Sequence, residues 1–434
     1  MGLAKSVYND MQSFADLSIS RERPSSASHT TIDSLLTQSN TMSSRGFRAS
    51  RLWTESMPPP PTTKLGRHRQ LAPNAGIHVS PLCIGAMSIG EKWGPLGMGE
   101  MTKEQSFKLL DAFYAAGGNF IDTANSYQDG ESEQFIGEWM KARDVRDHMV
   151  VATKYTSNWK RGENIPQKTS YVGNNMKSLY LSVEKSLKDL RTSYIDILYV
   201  HWWDWTCGVE EVMNGLHHLV AERKVLYLGV SDTPSWFVSK ANMYARLTGK
   251  TPFVVYQGAW SVLQRDLERE IIPMARAEGM AIAPWNVLAA GKIRTDAEEE
   301  RRRQTGEHGR KLASDAWERT PEQREVCVVL EKIANEVGAK SITAVAIAYV
   351  IQKTPYVFPI VGGRKVEHLM DNISALDVVL SDEQIDEIDS VHLFELGFPH
   401  DIIGDGSWYS AIYQSAGYFD KWPRQQPIRP AENA

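Results

Sequence analysis

Cysteine is scarce in this 434-residue chain: three residues, Cys83, Cys207 and Cys327, with no CxxC pair. That excludes a disulfide scaffold and a thiolate zinc site, and it suits a reducing compartment such as the cytoplasm. No apolar run reaches the ~18 residues of a membrane span. No G-x-G-x-x-G follows a strand-like segment, so the signature of a doubly wound dinucleotide-binding sheet is missing. Basic excess is missing too: the net charge of −5 gives no reason to expect a nucleic-acid surface. His217 and His218 have no acidic or thiol neighbours at metal spacing, so no metal site is expected. "LTGKT" at 247–251 resembles the end of a phosphate-binding loop, but Tyr244 stands where that loop needs glycine.

What remains is an ordinary globular composition, 42% apolar and 23% charged, in a length ample for a core. Residues 1–64 differ: they are rich in Ser, Thr and Arg and end near a Pro run at 58–61. They are expected to be a mostly disordered extension. Acids at 10, 16, 22 and 33 weaken a transit-peptide reading, and a second reading starts the working chain near Met57. Residues 65–434 then form one domain.

From Cys83 onward, short apolar runs alternate with amphipathic helical stretches. The strand candidates are 82–87, 119–124, 148–155, 195–202, 225–232, 253–260, 280–286 and 356–362. Nearly continuous apolar strands separated by helices mark a parallel sheet covered on its faces. Eight such units predict an α/β fold of the closed (β/α)8 TIM-barrel type. Two short apolar stretches around Asn74-Ala75-Gly76 read as a β-hairpin ahead of the first strand. The charge run at 294–311 reads as a solvated mobile loop.

Four polar residues sit at or just past strand ends: Asp122 and Tyr127 in "NFIDTANSYQDG", Lys154 in "MVVATKY" and His201 in "IDILYVHWWD". In a (β/α)8 barrel these positions converge at one mouth. A phenol has a pKa near ~10 and is a poor acid at neutral pH unless tuned. A neighbouring ammonium is expected to lower that pKa, a carboxylate to hold the ammonium, and an imidazole to orient a substrate oxygen.

These strings resemble the catalytic tetrad segments of the aldo-keto reductase superfamily, and the resemblance runs over about residues 65–376. Within it the chain is most similar to the fungal aryl-alcohol dehydrogenase and norsolorinic acid reductase group. The resemblance implies an NADP-dependent enzyme that reduces aldehydes or ketones, of aryl or secondary-metabolite type, with Tyr127 as general acid. It implies NADP(H) held by Gly85, Ala86 and Met87, by Asp122, by Ser231, Asp232 and Gln257 around the carboxamide, and by Trp285 stacked on the nicotinamide. Asn286, Gly291 and Lys292 follow in the same set. Gly363, Arg364 and Lys365 are implied phosphate ligands, and Asp371 and Asn372 adenine contacts; Gly362-Gly363 replaces the Lys-Ser of many relatives. Arg303, Arg310 and Lys311 in the charge run are further candidates for the pyrophosphate. Read without the resemblance, Trp285 is a core tryptophan and the Gly-Gly-Arg-Lys run a solvated turn. His201, Trp93 and Trp202 are expected to line the substrate pocket, joined by Trp203 and Trp205, with Trp408, Tyr409 and Tyr413 as lid residues. The expected partner is a small carbonyl or alcohol, with no nucleic acid and no membrane. The alternative is an NADPH-binding regulatory subunit like those of potassium channels, which share the fold.

Overall fold

A computed structural model describes residues 58–306 and 317–430. The expected extension up to residue 57, and Arg310 and Lys311, lie outside the described residues. Near the start of the described chain, Thr63 caps the short turn Lys64–Gly66, and its hydroxyl donates to the Ala116 carbonyl at 2.8 Å.

The hairpin comes first, β1 (Arg69–Ala72) against β2 (Ala75–Val79). Its turn is Pro73-Asn74, one residue earlier than the sequence suggests, because Ala75 pairs with Ala72 and is buried. Eight parallel strands follow: β3 (Cys83–Gly85), β4 (Phe120–Asp122), β5 (Val150–Tyr155), β6 (Ile195–Val200), β7 (Val225–Ser231), β8 (Phe253–Ala259), β9 (Ala281–Trp285) and β10 (Ile360–Gly362). They pair in chain order, and β10 pairs with β3. Closure between β9 and the run into β10 comes from Ile282, whose N–H donates to Tyr356 O and whose carbonyl accepts from Phe358 N–H, each at 2.9 Å. The (β/α)8 barrel is thus closed.

Alternation along each strand sorts two cores. Cys83, Phe120, Ala152, Ile197, Tyr199, Val255, Ala281, Ala283 and Phe358 pack inside the barrel, and hairpin residues Leu71, Ala72, Ala75 and Val79 plug its N-terminal end. Ile84, Ile121, Val151, Leu198, Val200 and Val230 face outward onto the helices. Asp122 is two residues beyond Phe120 and Lys154 two beyond Ala152, so both polar side chains inherit the inward face at the C-terminal mouth.

The outer layer includes α1 (Lys103–Ala115), α2 (Glu131–Arg143), α3 (Met176–Asp189), α4 (Val209–Ala221), α5 (Ser235–Leu247) and α6 (Ile271–Glu278). The charge run is not a loop as far as residue 305: it is helix α7 (Asp296–Thr305). Thr295 caps it, acids fill its first turn and Arg302 and Arg303 its last, which suits the helix dipole. Glu299, buried, accepts from Arg294 and Arg319, and this ion cluster anchors the helix. Arg303 is taken by Glu300 and Glu318. Then come α8 (Pro321–Glu336), α9 (Ile342–Lys353), α10 (Val366–Ile373) and α11 (Asp382–Val391). No helix among the described residues is long and apolar enough to cross a membrane.

Gly137 marks where α2 lies against the end of α3. A Cβ there would meet the Asp189 carbonyl and sit 2.7 Å from Leu190 Cα. Gly137→Ala is expected to destabilise the barrel by about 1–3 kcal/mol through overpacking, read as a lower urea midpoint at unchanged m-value; an unchanged midpoint would show that the helices can slide apart.

Candidate functional site

Lys154 is the centre of the barrel mouth. Its side chain is fully buried, and its ammonium donates to Asp122 Oδ2 at 2.6 Å, to the Thr123 carbonyl at 2.7 Å and to the Tyr127 hydroxyl at 3.3 Å. All three of its protons are therefore used. Asp122 is held from its other oxygen, where Gln257 Nε2 donates to Oδ1 at 2.9 Å. Tyr127 opens the turn Tyr127–Gly130 after β4, and Gln128 and Asp129 take the left-handed region at φ 53° to turn the chain there. Gln128 fixes that turn: buried, it donates to the Met87 and Gly99 carbonyls and accepts from Trp93 N–H. His201 meets the Tyr127 ring edge to face, with ring centroids 5.8 Å apart at 76°. Ser157 Oγ lies 3.3 Å from His201 Nδ1 and accepts from Trp202 Nε1 at 3.1 Å. On the other side Trp93 stands edge to face with Tyr127 at 6.1 Å, its indole N–H donating to Asp129 Oδ1 at 3.1 Å.

The structure thus brings Asp122, Tyr127, Lys154 and His201 into one cluster, with Trp93 and Trp202 beside it. Trp203 is elsewhere: buried, it packs on Phe237 at 3.9 Å in the helix layer, and Trp205 is largely exposed. The lid role expected of Trp408, Tyr409 and Tyr413 does not fit. Tyr409 and Tyr413 stack on each other and on Phe419, and Arg424 of the same segment donates to the Asp405 carbonyl. That segment lies by Arg276 at the C-terminal end of α6, which is the N-terminal end of the barrel.

Electrostatics separates the four groups. Burial alone lowers the Lys154 pKa, but the charges and hydrogen bonds of Asp122 and Tyr127 outweigh it and hold the amine above its ordinary value, so it stays an ammonium. Tyr127 departs from expectation. Burial raises its pKa first, Lys154 pulls it down by charge and hydrogen bond, and Asp122 and Asp232 push it up again, with the net direction upward. The resting phenol keeps its proton. His201 is driven down to about 3 by burial and by the Lys154 charge, so the imidazole is neutral.

Around this cluster lie the residues expected at the cofactor. Ser231 ends β7 and pairs in register with Gln257; its buried Oγ has no hydrogen-bond partner among the described residues, an orphan that a carboxamide would satisfy. Asp232, at φ 43°, accepts from Trp285 Nε1 at 3.3 Å. Gly85 ends β3, Ala86 N–H donates to the Asp122 carbonyl at 2.8 Å, and Met87 follows at the mouth. Asn286 takes φ 60° and donates to Gln264; Arg294 donates to the Gly291 carbonyl at 3.0 Å, and Lys292 follows. At the end of β10, Gly362 has open space where a Cβ would be, while a Cβ on Gly363 would sit 3.8 Å from the His368 Cβ; Arg364 and Lys365, exposed, form no ion pair among the described residues. They precede the N-terminus of α10, whose free amides favour an anion. Asp371 already accepts from Ser341 and Thr343 at the start of α9, at 2.9 and 3.1 Å, and Asn372 is buried. The structure therefore gives Asp371 a helix-tethering role. Sequence reasoning missed Ser157, Gln128 and the Gln257–Asp122 link, because side-chain pairing across strands leaves no local signal.

The sequence pattern of the Aldo/keto reductase family matches residues 81–392. The chain belongs to that family. It is 67% identical over 376 residues to the NADP(+) aryl-alcohol dehydrogenase of Phanerodontia chrysosporium, covering 86% of this chain and 98% of that one. It is 48% identical over 387 residues to norsolorinic acid reductase A of Aspergillus parasiticus, covering 87% and 96%. A putative aryl-alcohol dehydrogenase of Saccharomyces cerevisiae is 54% identical over 348 residues, covering 80% and 92%. Like its family, this reductase presents its polar groups where the strands end.

The neutral state of His201 is directly measurable. A folded pKa near 3 lies below the ~6.5 of an unfolded imidazole, so the group contributes stability in full above about pH 6.5 and loses it as pH falls toward 3. Nitrogen-15 NMR of labelled imidazoles should show His201 neutral at pH 5 while solvated histidines are charged; a His201 midpoint near 6.5 would overturn the assignment.

Proposed function

We propose that this chain is an NADP-dependent reductase that converts aryl aldehydes or ketones to alcohols at the Asp122–Tyr127–Lys154–His201 cluster. The observation that carries the reading is the buried Lys154 ammonium bound at once to Asp122 and to the Tyr127 hydroxyl. Identity of 67% to an NADP(+) aryl-alcohol dehydrogenase supports the cofactor and the substrate class. Ser231, Gln257, Trp285, Arg364 and Lys365 would hold the cofactor, with Gly85 and Met87 giving its sugar room. When bound, NADPH supplies the hydride that reduces the carbonyl carbon.

The chain's own residues do the rest. Tyr127 donates its proton to the carbonyl oxygen, and the phenolate left behind is stabilised by the Lys154 ammonium at 3.3 Å. Because burial holds the phenol protonated, it is ready to donate over the physiological range. Asp122 and Gln257 fix the ammonium, and no proton need leave it. Neutral His201, with Ser157 at Nδ1, has at Nε2 no hydrogen-bond partner among the described residues, and that nitrogen can bond the same oxygen. Trp93 and Trp202 form aromatic walls that suit an aryl group. In reverse, Tyr127 as phenolate accepts the alcohol proton. Cys83, Cys207 and Cys327 are all free, which supports a cytoplasmic location.

Tyr127→Phe removes the acid but little volume. NADPH oxidation at the reduced-nicotinamide absorbance band, with a panel of aryl aldehydes, should fall by about 10²–10⁴-fold in kcat while NADPH binding is kept. Turnover retained by the variant would overturn the role of Tyr127. No turnover by the unaltered enzyme on any aryl aldehyde would overturn the substrate class.

A further inference from the structure

At the barrel end opposite the cluster, the hairpin, residues 351–358 and residues 425–428 line a cavity of about 340 Å³. Its wall is mixed: Val357, Phe358 and Ile428 are apolar, and Arg69 and His78 bring nitrogen groups. Arg69 is half-buried on β1, and its guanidinium forms no hydrogen bond or ion pair among the described residues. Burial pushes its pKa down, with no carboxylate acting against that. Arg276, beside the cavity, donates to the hydroxyl of Thr354 in the wall, at 3.1 Å, and to no other group among the described residues. Burial and the nearby Arg424 both lower its pKa; Asp405 works the other way, but that carboxylate is held by Arg424 at 3.3 Å and by Ser407. Tyr356 keeps a left-handed φ of 58° at this wall, where its hydroxyl accepts from Gln425 at 3.3 Å. A chain of net charge −5 therefore leaves a guanidinium without a counter-ion among the described residues, against an amphipathic hollow. A half-buried cation without a partner is costly, and a bound anion removes that cost.

We propose that this cavity is a second binding site, distinct from the reductase mouth, for a small organic carboxylate with an aromatic or aliphatic body. Arg69 takes the carboxylate in bidentate fashion, and Val357, Phe358 and Ile428 cover the body. Two sources offer this chemistry. One is a free acid from solution. The other is the chain's own Glu432, which follows Ile428 within about 15 Å of chain.

The test titrates benzoate and acetate into the full chain and into a chain ending at Pro430, followed by calorimetry and saturation-transfer NMR. Benzoate is expected to bind at least about tenfold more tightly than acetate, and Arg69→Met to weaken benzoate about tenfold or more. Aldehyde reduction by Arg69→Met should be unchanged, because the residue is at the far end of the barrel. Binding to the full chain assigns the site to a free acid; binding only after residues 431–434 are removed assigns it to the chain's own Glu432. Equal benzoate affinity in wild type and Arg69→Met, or no saturable binding by either length of chain, would overturn the proposal. Should Arg69→Met fail to fold, His78→Glu places a carboxylate on the exposed face of β2 at the cavity wall. It is expected to weaken benzoate likewise, and unchanged affinity there sinks the site too.

Discussion

The ion pair between Lys154 and Asp122 constrains everything at the mouth of this barrel. A fully buried ammonium loses several kcal/mol of hydration, and only a close partner with well-made hydrogen bonds offsets that. The barrel provides one at 2.6 Å and completes the set with the Thr123 carbonyl and the Tyr127 hydroxyl. Because each of the three Lys154 protons has its own acceptor, Tyr127 cannot drift from it without leaving a buried ammonium N–H unpaired. The tight turn after β4, tied by Gln128, is what carries Tyr127 there.

The same charge sets the state of its neighbours. It adds to burial, the larger cause, in keeping His201 from taking a proton, which leaves a neutral imidazole beside Tyr127. It works to lower the Tyr127 pKa, yet burial and the carboxylates leave the phenol protonated. A proton held until a carbonyl arrives, beside a cation that stabilises the phenolate once it leaves, is a consistent design for reduction. The preorganisation lies in groups fixed on strands β4 to β8, so little reorganisation accompanies the reaction.

Away from the mouth, charge is used to build structure. Glu299 binds Arg294 and Arg319 in a buried cluster and converts an apparently solvated run into helix α7. Asp371, which resembles an adenine contact in sequence, tethers the start of α9. Arg69 is the contrasting case, a guanidinium with no partner among the described residues, at the opposite end of the barrel.

The alternation of apolar runs with amphipathic helices was enough to read the closed barrel, because parallel strands buried on both faces require that pattern. The four polar residues at strand ends were legible for the same reason: a period of two and a common strand direction place Asp122, Lys154 and His201 at one mouth. Strand limits were less so; the last strand shortens to Ile360–Gly362 because 356–358 serve only to close the barrel on Ile282. The aromatic residues were the least legible. Trp93 and Trp202 reach the site, whereas Trp203 packs on Phe237 and the 408–422 segment lies at the other end. Sequence alone determined which chemistry this chain carries and on which strands. Tertiary structure decided which protons stay in place and which side chains share a wall, since desolvation and cross-strand contact depend on neighbours far apart in the chain.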